Sequence, residues 1–168
     1  MAKTIRVDGL SQKNITNAIR ELRKYAEWVD RKETELITKL AERGLEVASV
    51  RFAAAQYDGT NDVHVHVEPT GDGAVIYAKG KAVAFIEFGS GAAMGYGHPD
   101  AGKHSLGPGT WSDDEELGGK HHWDDPDGWY YKHGEKSHGN PPAMAMWQAV
   151  QTMTEELTTI ARGVFGTA

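Results

Sequence analysis

The sequence predicts an α+β fold in which a small antiparallel sheet is packed by a long N-terminal helix and a C-terminal helix, with a long loop inserted between them. Three observations carry that prediction. Apolar residues recur at helical spacing over 11–43 and again from Pro141 to about Arg162, residues 63–68 alternate strictly, and 89–140 has neither pattern.

In the first segment Ile15, Ala18, Ile19, Leu22, Tyr25, Ala26, Val29, Leu36, Ile37 and Leu40 share one helical stripe. Ser11 or Asn14 can cap its start, and Gly44 stands where a helix would close in a left-handed residue. The all-polar stretch from Asp30 to Glu35 marks a kink or a place where the helix leaves the core. Its charged face, with Arg20, Arg23, Lys24, Glu27, Arg31, Lys32, Glu35 and Lys39, is read as solvated. Residues 47–56 suit either helix or strand, being alanine-rich but carrying Val50 and Phe52.

Three strands are expected next, at 63–68, 74–78 and 83–88, joined by the turns Pro69-Thr70-Gly71-Asp72-Gly73 and Lys79-Gly80-Lys81 into a meander. In the first, Val63, Val65 and Val67 face one way and His64, His66 and Glu68 the other. The closing helix places Met144, Trp147, Val150, Leu157, Ala161 and Val164 on one stripe, with Asn140 as N-cap, Pro141 in the first turn and Gly163 or Gly166 at its end. Met146, Met153 and Ile160 widen that stripe towards a second contact surface.

A chain of 168 residues fits one domain, with 89–140 an extended loop inside it. That loop holds 12 of the 20 glycines, 6 of the 8 histidines and 3 of the 5 tryptophans, and nine acidic residues against four lysines. Loops of this length signal a functional or partner-ordered segment, and its aromatics are costly to leave in water. Phe88, Tyr96, Trp111, Trp123, Trp129, Tyr130, Tyr131 and Met146 are therefore the candidate interface residues.

Cysteine is absent, which excludes disulfides, thiolate metal sites and a cysteine nucleophile. The net charge of −6 argues against a dedicated nucleic-acid binder, although an acidic wall suits a surface that DNA passes without sticking. Met1 to Leu10 has no apolar run of signal-peptide length, and no stretch reaches the roughly 20 apolar residues of a membrane span. The expectation is a soluble chain made in the cytoplasm.

Chemistry-bearing motifs are sparse. No Gly-x-Ser-x-Gly, phosphate loop, His-Glu-x-x-His or dinucleotide fingerprint occurs. His64 and His66 on one strand face, with Glu68, have the geometry for a divalent ion, as do weaker groupings at His121-His122 with Asp124 and Asp125, and at His133 with His138. Glu87, in an apolar strand, reads either as a perturbed catalytic carboxylate or, the favoured reading, as a partner for a basic group or an edge residue facing solvent.

Several segments together resemble the neck and tail-completion family of siphophages, the gene-product-ten-like putative tail components. These are Tyr77-Ala78, Ala84-Phe85-Ile86-Glu87-Phe88-Gly89-Ser90-Gly91, Gly97-His98-Pro99-Asp100-Ala101-Gly102-Lys103, Gly128-Trp129-Tyr130-Tyr131, Gly139-Asn140-Pro141-Pro142-Ala143-Met144 and Ile160-Ala161-Arg162. The similarity runs from Leu36 to Phe165 in order, departing at Ser90, where the family more often has Thr, and in the acidic segment 112–117.

The resemblance implies a non-enzymatic virion protein, without cofactor, forming a homo-oligomeric ring, commonly a hexamer, at the head–tail junction. Its partners would be head-closure or adaptor and tail-terminator or tail-tube proteins, with DNA passing through the lumen, no membrane contact, and host cytoplasm as the place of assembly. Two other readings come from the residues: a small metal-dependent hydrolase using His64, His66 and a loop His or Asp, and a host-encoded binding module captured in a prophage.

Overall fold

Ser11 starts the longest element, its side chain accepting from the Asn14 N–H at 3.3 Å, and helix α1 (Gln12–Ala54) follows without a break. The computed structural model describes residues 9, 11–55, 62–91, 94–104, 129–130, 136–137 and 139–166, with the backbone alone at 129–130 and 136–137. At 43 residues α1 is about 65 Å long. The helix runs on through the polar stretch before Leu36, where Glu35 receives Lys32 at 2.8 Å and Lys39 at 3.0 Å in helical-neighbour pairs. Those two lysines hold the Glu35 carboxyl below its ordinary value, Lys32 more strongly.

Gly44 does not end the helix. A side chain there would meet Ile76 Cδ1 at 2.5 Å and Met153 Sδ at 2.6 Å, so glycine serves close approach of two neighbouring elements. The helix continues through 47–54 and closes when Ala55 donates its N–H to the carbonyls of Arg51 and Phe52.

Strands β1 (His64–Pro69) and β2 (Ala74–Lys79) form an antiparallel hairpin. Val65 stands opposite Ala78 and Val67 opposite Ile76, giving one half-buried face, while His66 stacks on Tyr77 across the other at 5.5 Å. The alternation expected from the sequence is present.

The expected third strand is instead a short helix, α2 (Val83–Phe88). An unbroken apolar run carries no period that separates strand from helix, and tertiary bonds decide. Asp62 accepts from Lys81 N–H at 2.8 Å and from the N–H of Ala82, the N-cap of α2, at 3.2 Å, fixing the chain as it enters the helix. At the other end the carbonyls of Ile86, Glu87 and Phe88 accept from the N–H groups of Ala143, Met144 and Gly95. The sheet of the core is thus a two-stranded hairpin within the same α+β architecture.

Residues Ala101–His104 make one 3₁₀ turn, and β3 (Trp129–Tyr130) pairs antiparallel with β4 (Lys136–Ser137) inside the segment expected to be loop. Helix α3 (Ala145–Phe165) starts four residues later than its two prolines suggest: Pro141 and Pro142 are non-helical, the N-cap is Met144 rather than Asn140, and Gly163 lies inside the helix.

Helix α3 runs antiparallel along the C-terminal part of α1. Ala145 and Ala149 share the core cluster with Ala48, Phe52 and Ile86; further along, Arg43 grips Glu156 through two bonds of 2.8 and 2.9 Å, and Phe165 meets Trp28 edge-on. Three of the five cluster residues are alanine, which lets the helix axes come close and leaves Phe52 to fill most of the volume. No described helix is long and apolar enough to cross a membrane.

Candidate functional site

The end of α2, the start of the inserted segment and the first turn of α3 meet at Glu87. Its side chain is buried, with 6% of the residue exposed. One carboxylate oxygen, Oε2, accepts from Met146 N–H at 2.8 Å; the other, Oε1, accepts from Trp147 N–H at 3.0 Å and from His98 Nε2 at 3.2 Å. The N–H groups are the second and third of α3, donors that a helix leaves unpaired, so a residue 59 positions upstream of Met146 caps this helix. A negative carboxylate there also faces the positive end of the helix dipole.

His98 is fixed from both sides. Its Nδ1 accepts from Asp100 N–H at 3.0 Å, which leaves Nε2 to carry the proton that it donates to Glu87. Phe88 packs against this imidazole at 4.4 Å between ring centroids and against His104 at 5.2 Å. Lys103 lies 2.6 Å from Asp100 and, through that bond, holds the Asp100 carboxyl below its ordinary value.

Beside this clasp the two ends of the inserted segment are stapled together. Ser90 N–H donates to Asn140 O at 2.9 Å, and Asn140 N–H donates to Ser90 Oγ at 3.1 Å. Gly89, at φ 83° and ψ −176°, occupies backbone space that only glycine enters readily, and a Cβ on it would meet Asn140 O at 2.6 Å. Gly139, at φ 81°, passes so close to Ser90 that a Cβ would collide with its carbonyl oxygen. Met144 also has positive φ, 52°, and is held by its own N–H to Glu87 O and by the bond of Ala143 N–H to Ile86 O.

A cleft of about 620 Å³ opens next to the clasp, between β2, α2, α3 and the 3₁₀ turn. Its polar groups are largely committed: both Glu87 oxygens and both His98 nitrogens already have partners, and Asp100 is tied to Lys103. The arrangement holds the end of α2, the 3₁₀ turn and the first turn of α3 in place.

The residues singled out in the sequence fall in different places. Phe88 is half-buried within the clasp, Met146 packs on the core cluster, and Tyr96 is 76% exposed at the start of the inserted segment. Trp129 and Tyr130 lie on β3, while Trp111, Trp123 and Tyr131 fall outside the described residues. His66 Nε2 lies 3.0 Å from Glu68 Oε1, and His64 is exposed on the same strand. Among the described residues no three His, Asp or Glu side chains come together as a metal site; His121, His122, Asp124, Asp125, His133 and His138 lie outside them.

Glu87 does meet a partner on another element, as the favoured reading expected, but in the interior and mainly through backbone N–H groups, not at a solvent-facing edge. His98, Ser90, Asn140 and Asp62 were missed as organising residues. The signal available for the first three was their place in the segments that carry the family resemblance. No protein-family profile, curated protein or solved structure matches this chain.

Proposed function

We propose that this chain is a non-enzymatic structural protein of a tailed phage, forming a ring, a hexamer by the resemblance, in the neck between head and tail. The observation that carries the reading is the stapled base of the inserted segment: Ser90 and Asn140 bond to each other, so the first and last residues of the segment stand side by side on the body, with His98 packed next to them. A segment anchored in this way and rich in Trp and Tyr supports a role in contacts with neighbouring subunits or rings, since aromatics anchor interfaces.

Head-closure or adaptor proteins on one side and tail-terminator or tail-tube proteins on the other are its proposed neighbours, with DNA passing the acidic lumen without specific contacts. The engaged state of Glu87 and His98 supports a scaffolding use of that cluster. Removing residues 105–136 tests the reading in particle assembly. Tailless heads and free tails are expected, with the shortened protein still folded; complete infectious particles would refute it.

A further inference from the structure

Helix α3 covers α1 only as far as Trp28, which meets Phe165 at the end of α3. The preceding part of α1, from Gln12, is therefore about 24 Å of helix beyond that contact. Along it Ile15, Ile19 and Leu22 are 43%, 46% and 55% exposed. They repeat at i, i+4 and i+7, and Gly44, in the packed seam, lies on the same face about eight turns after Ile15. A face buried at one end of a helix is thus open at the other. This stretch has a net charge of +2, with Lys13, Arg20, Arg23 and Lys24 against Glu21 and Glu27.

A matching groove lies elsewhere on the same molecule. Between α1 and the tip of the hairpin there is a trough of about 560 Å³, floored by Ile37, Ala41, Leu45 and Val67. Its rim carries Asp30, Glu33, Glu42 and Asp72 and no Lys or Arg. No described residue forms an ion pair with any of these four carboxylates. Along α1 it extends from Asp30 to Leu45, about 22 Å, close to the length of the projecting segment.

The geometry points to a second copy of this chain as the occupant: the N-terminal part of α1 lays Ile15, Ile19 and Leu22 into the acidic groove of a neighbour, with its basic residues against the rim. Apolar stripe meets apolar floor, positive flank meets negative rim, and the lengths agree. Because stripe and groove are different surfaces, the contact is head-to-tail, the type that repeats from copy to copy and gives a ring where its rotation closes. The inference deepens the ring reading and rests on its premise that copies of this chain associate.

The absence of cysteine from the chain makes the test clean. Full-length Leu22→Cys and Thr38→Cys proteins, the first on the exposed stripe and the second on the groove, are mixed at high concentration and oxidised. Mixed disulfide dimers are expected at several times the yield of Leu22→Cys paired with the exposed control Thr159→Cys. Adding Ile19→Asp to the Leu22→Cys chain is expected to abolish the excess, and circular dichroism establishes that this exposed substitution leaves the helix content intact. Leu22→Cys pairing chiefly with itself, or a mixed yield no higher than the control, overturns the contact. Locating the tagged protein in particles separates the two ideas: neck localisation without the mixed pair removes this contact and leaves the ring, and the mixed pair without neck localisation does the reverse.

Discussion

Helix α3 is held in two unlike ways. Along its flank it lies on α1 through alanines, Gly44 and the side chain of Phe52, an apolar seam reinforced by the Arg43–Glu156 pair. At its first turn it is held by a single buried carboxylate and by backbone bonds from the end of α2. The seam joins elements that are both regular and tolerates small shifts, because dispersion and burial have no strict direction. The clasp joins an irregular segment to a helix end, and hydrogen-bond geometry leaves it little freedom. Bulk stability should therefore reside in the seam, and the positioning of the inserted segment in the clasp.

The strongest way to break the seam is Phe52→Ala. Phe52 is 1% exposed and is the largest side chain in the core cluster, so about 3–5 kcal/mol of unfolding free energy should be lost in urea titration. A loss under about 1 kcal/mol would mean that the seam is not the principal store of stability. Next comes Gly89→Ala at the clasp, expected to cost about 3 kcal/mol because the position lies in glycine-only space against the Asn140 carbonyl.

Glu87→Gln is subtler and sharpens the contrast. The amide keeps the shape but turns an NH₂ group towards backbone donors, which should cost about 2 kcal/mol. Hydrogen exchange should accelerate at the amides of Met146 and Trp147 while the amide of Val164, at the far end of α3, stays protected. Equal acceleration at both ends would show that clasp and seam are one cooperative unit.

The smallest effect concerns acid. Bonds from Lys81 N–H, and then from Ala82 N–H, hold the Asp62 carboxyl below its ordinary 3.8. A depressed native value contributes stability that is fully present above the unfolded value and disappears as pH falls through the native one. Asp62→Asn should thus lower the melting temperature modestly at pH 7 and make stability less sensitive to pH below 4. An unchanged acid limb in the variant would remove Asp62 from this role.

The sequence reading succeeded where a pattern repeats and failed where a single distant residue decides. Spacing revealed α1, Ser11 its cap, and strict alternation the hairpin face of Val65 and Val67. Gly44 looked like a stop because a glycine's conformational freedom is visible in sequence, whereas its lack of a side chain opposite Met153 is not. The run Val83–Phe88 became helical through bonds to Asp62, Gly95, Ala143 and Met144, none of which leaves a local signature. The start of α3 was displaced for the same reason: Pro141-Pro142 advertises a first turn, but the cap comes from Glu87, and Met144 stands ahead of the helix in a left-handed conformation. For the candidate site, the importance of the Phe85–Gly91 neighbourhood was legible, and its wiring through His98 and Asn140 was not.

The Ser90–Asn140 staple has a consequence for chain length. With Ser90 and Asn140 fixed side by side and 94–104 packed against the body, a change of chain length between His104 and Gly139 is expected to enter stability mainly through loop-closure entropy, about 0.6 kcal/mol per doubling. The clasp of Glu87, His98 and Asn140 can therefore stay constant while the length of chain between His104 and Gly139 changes, which separates the folding of the body from the composition of that stretch.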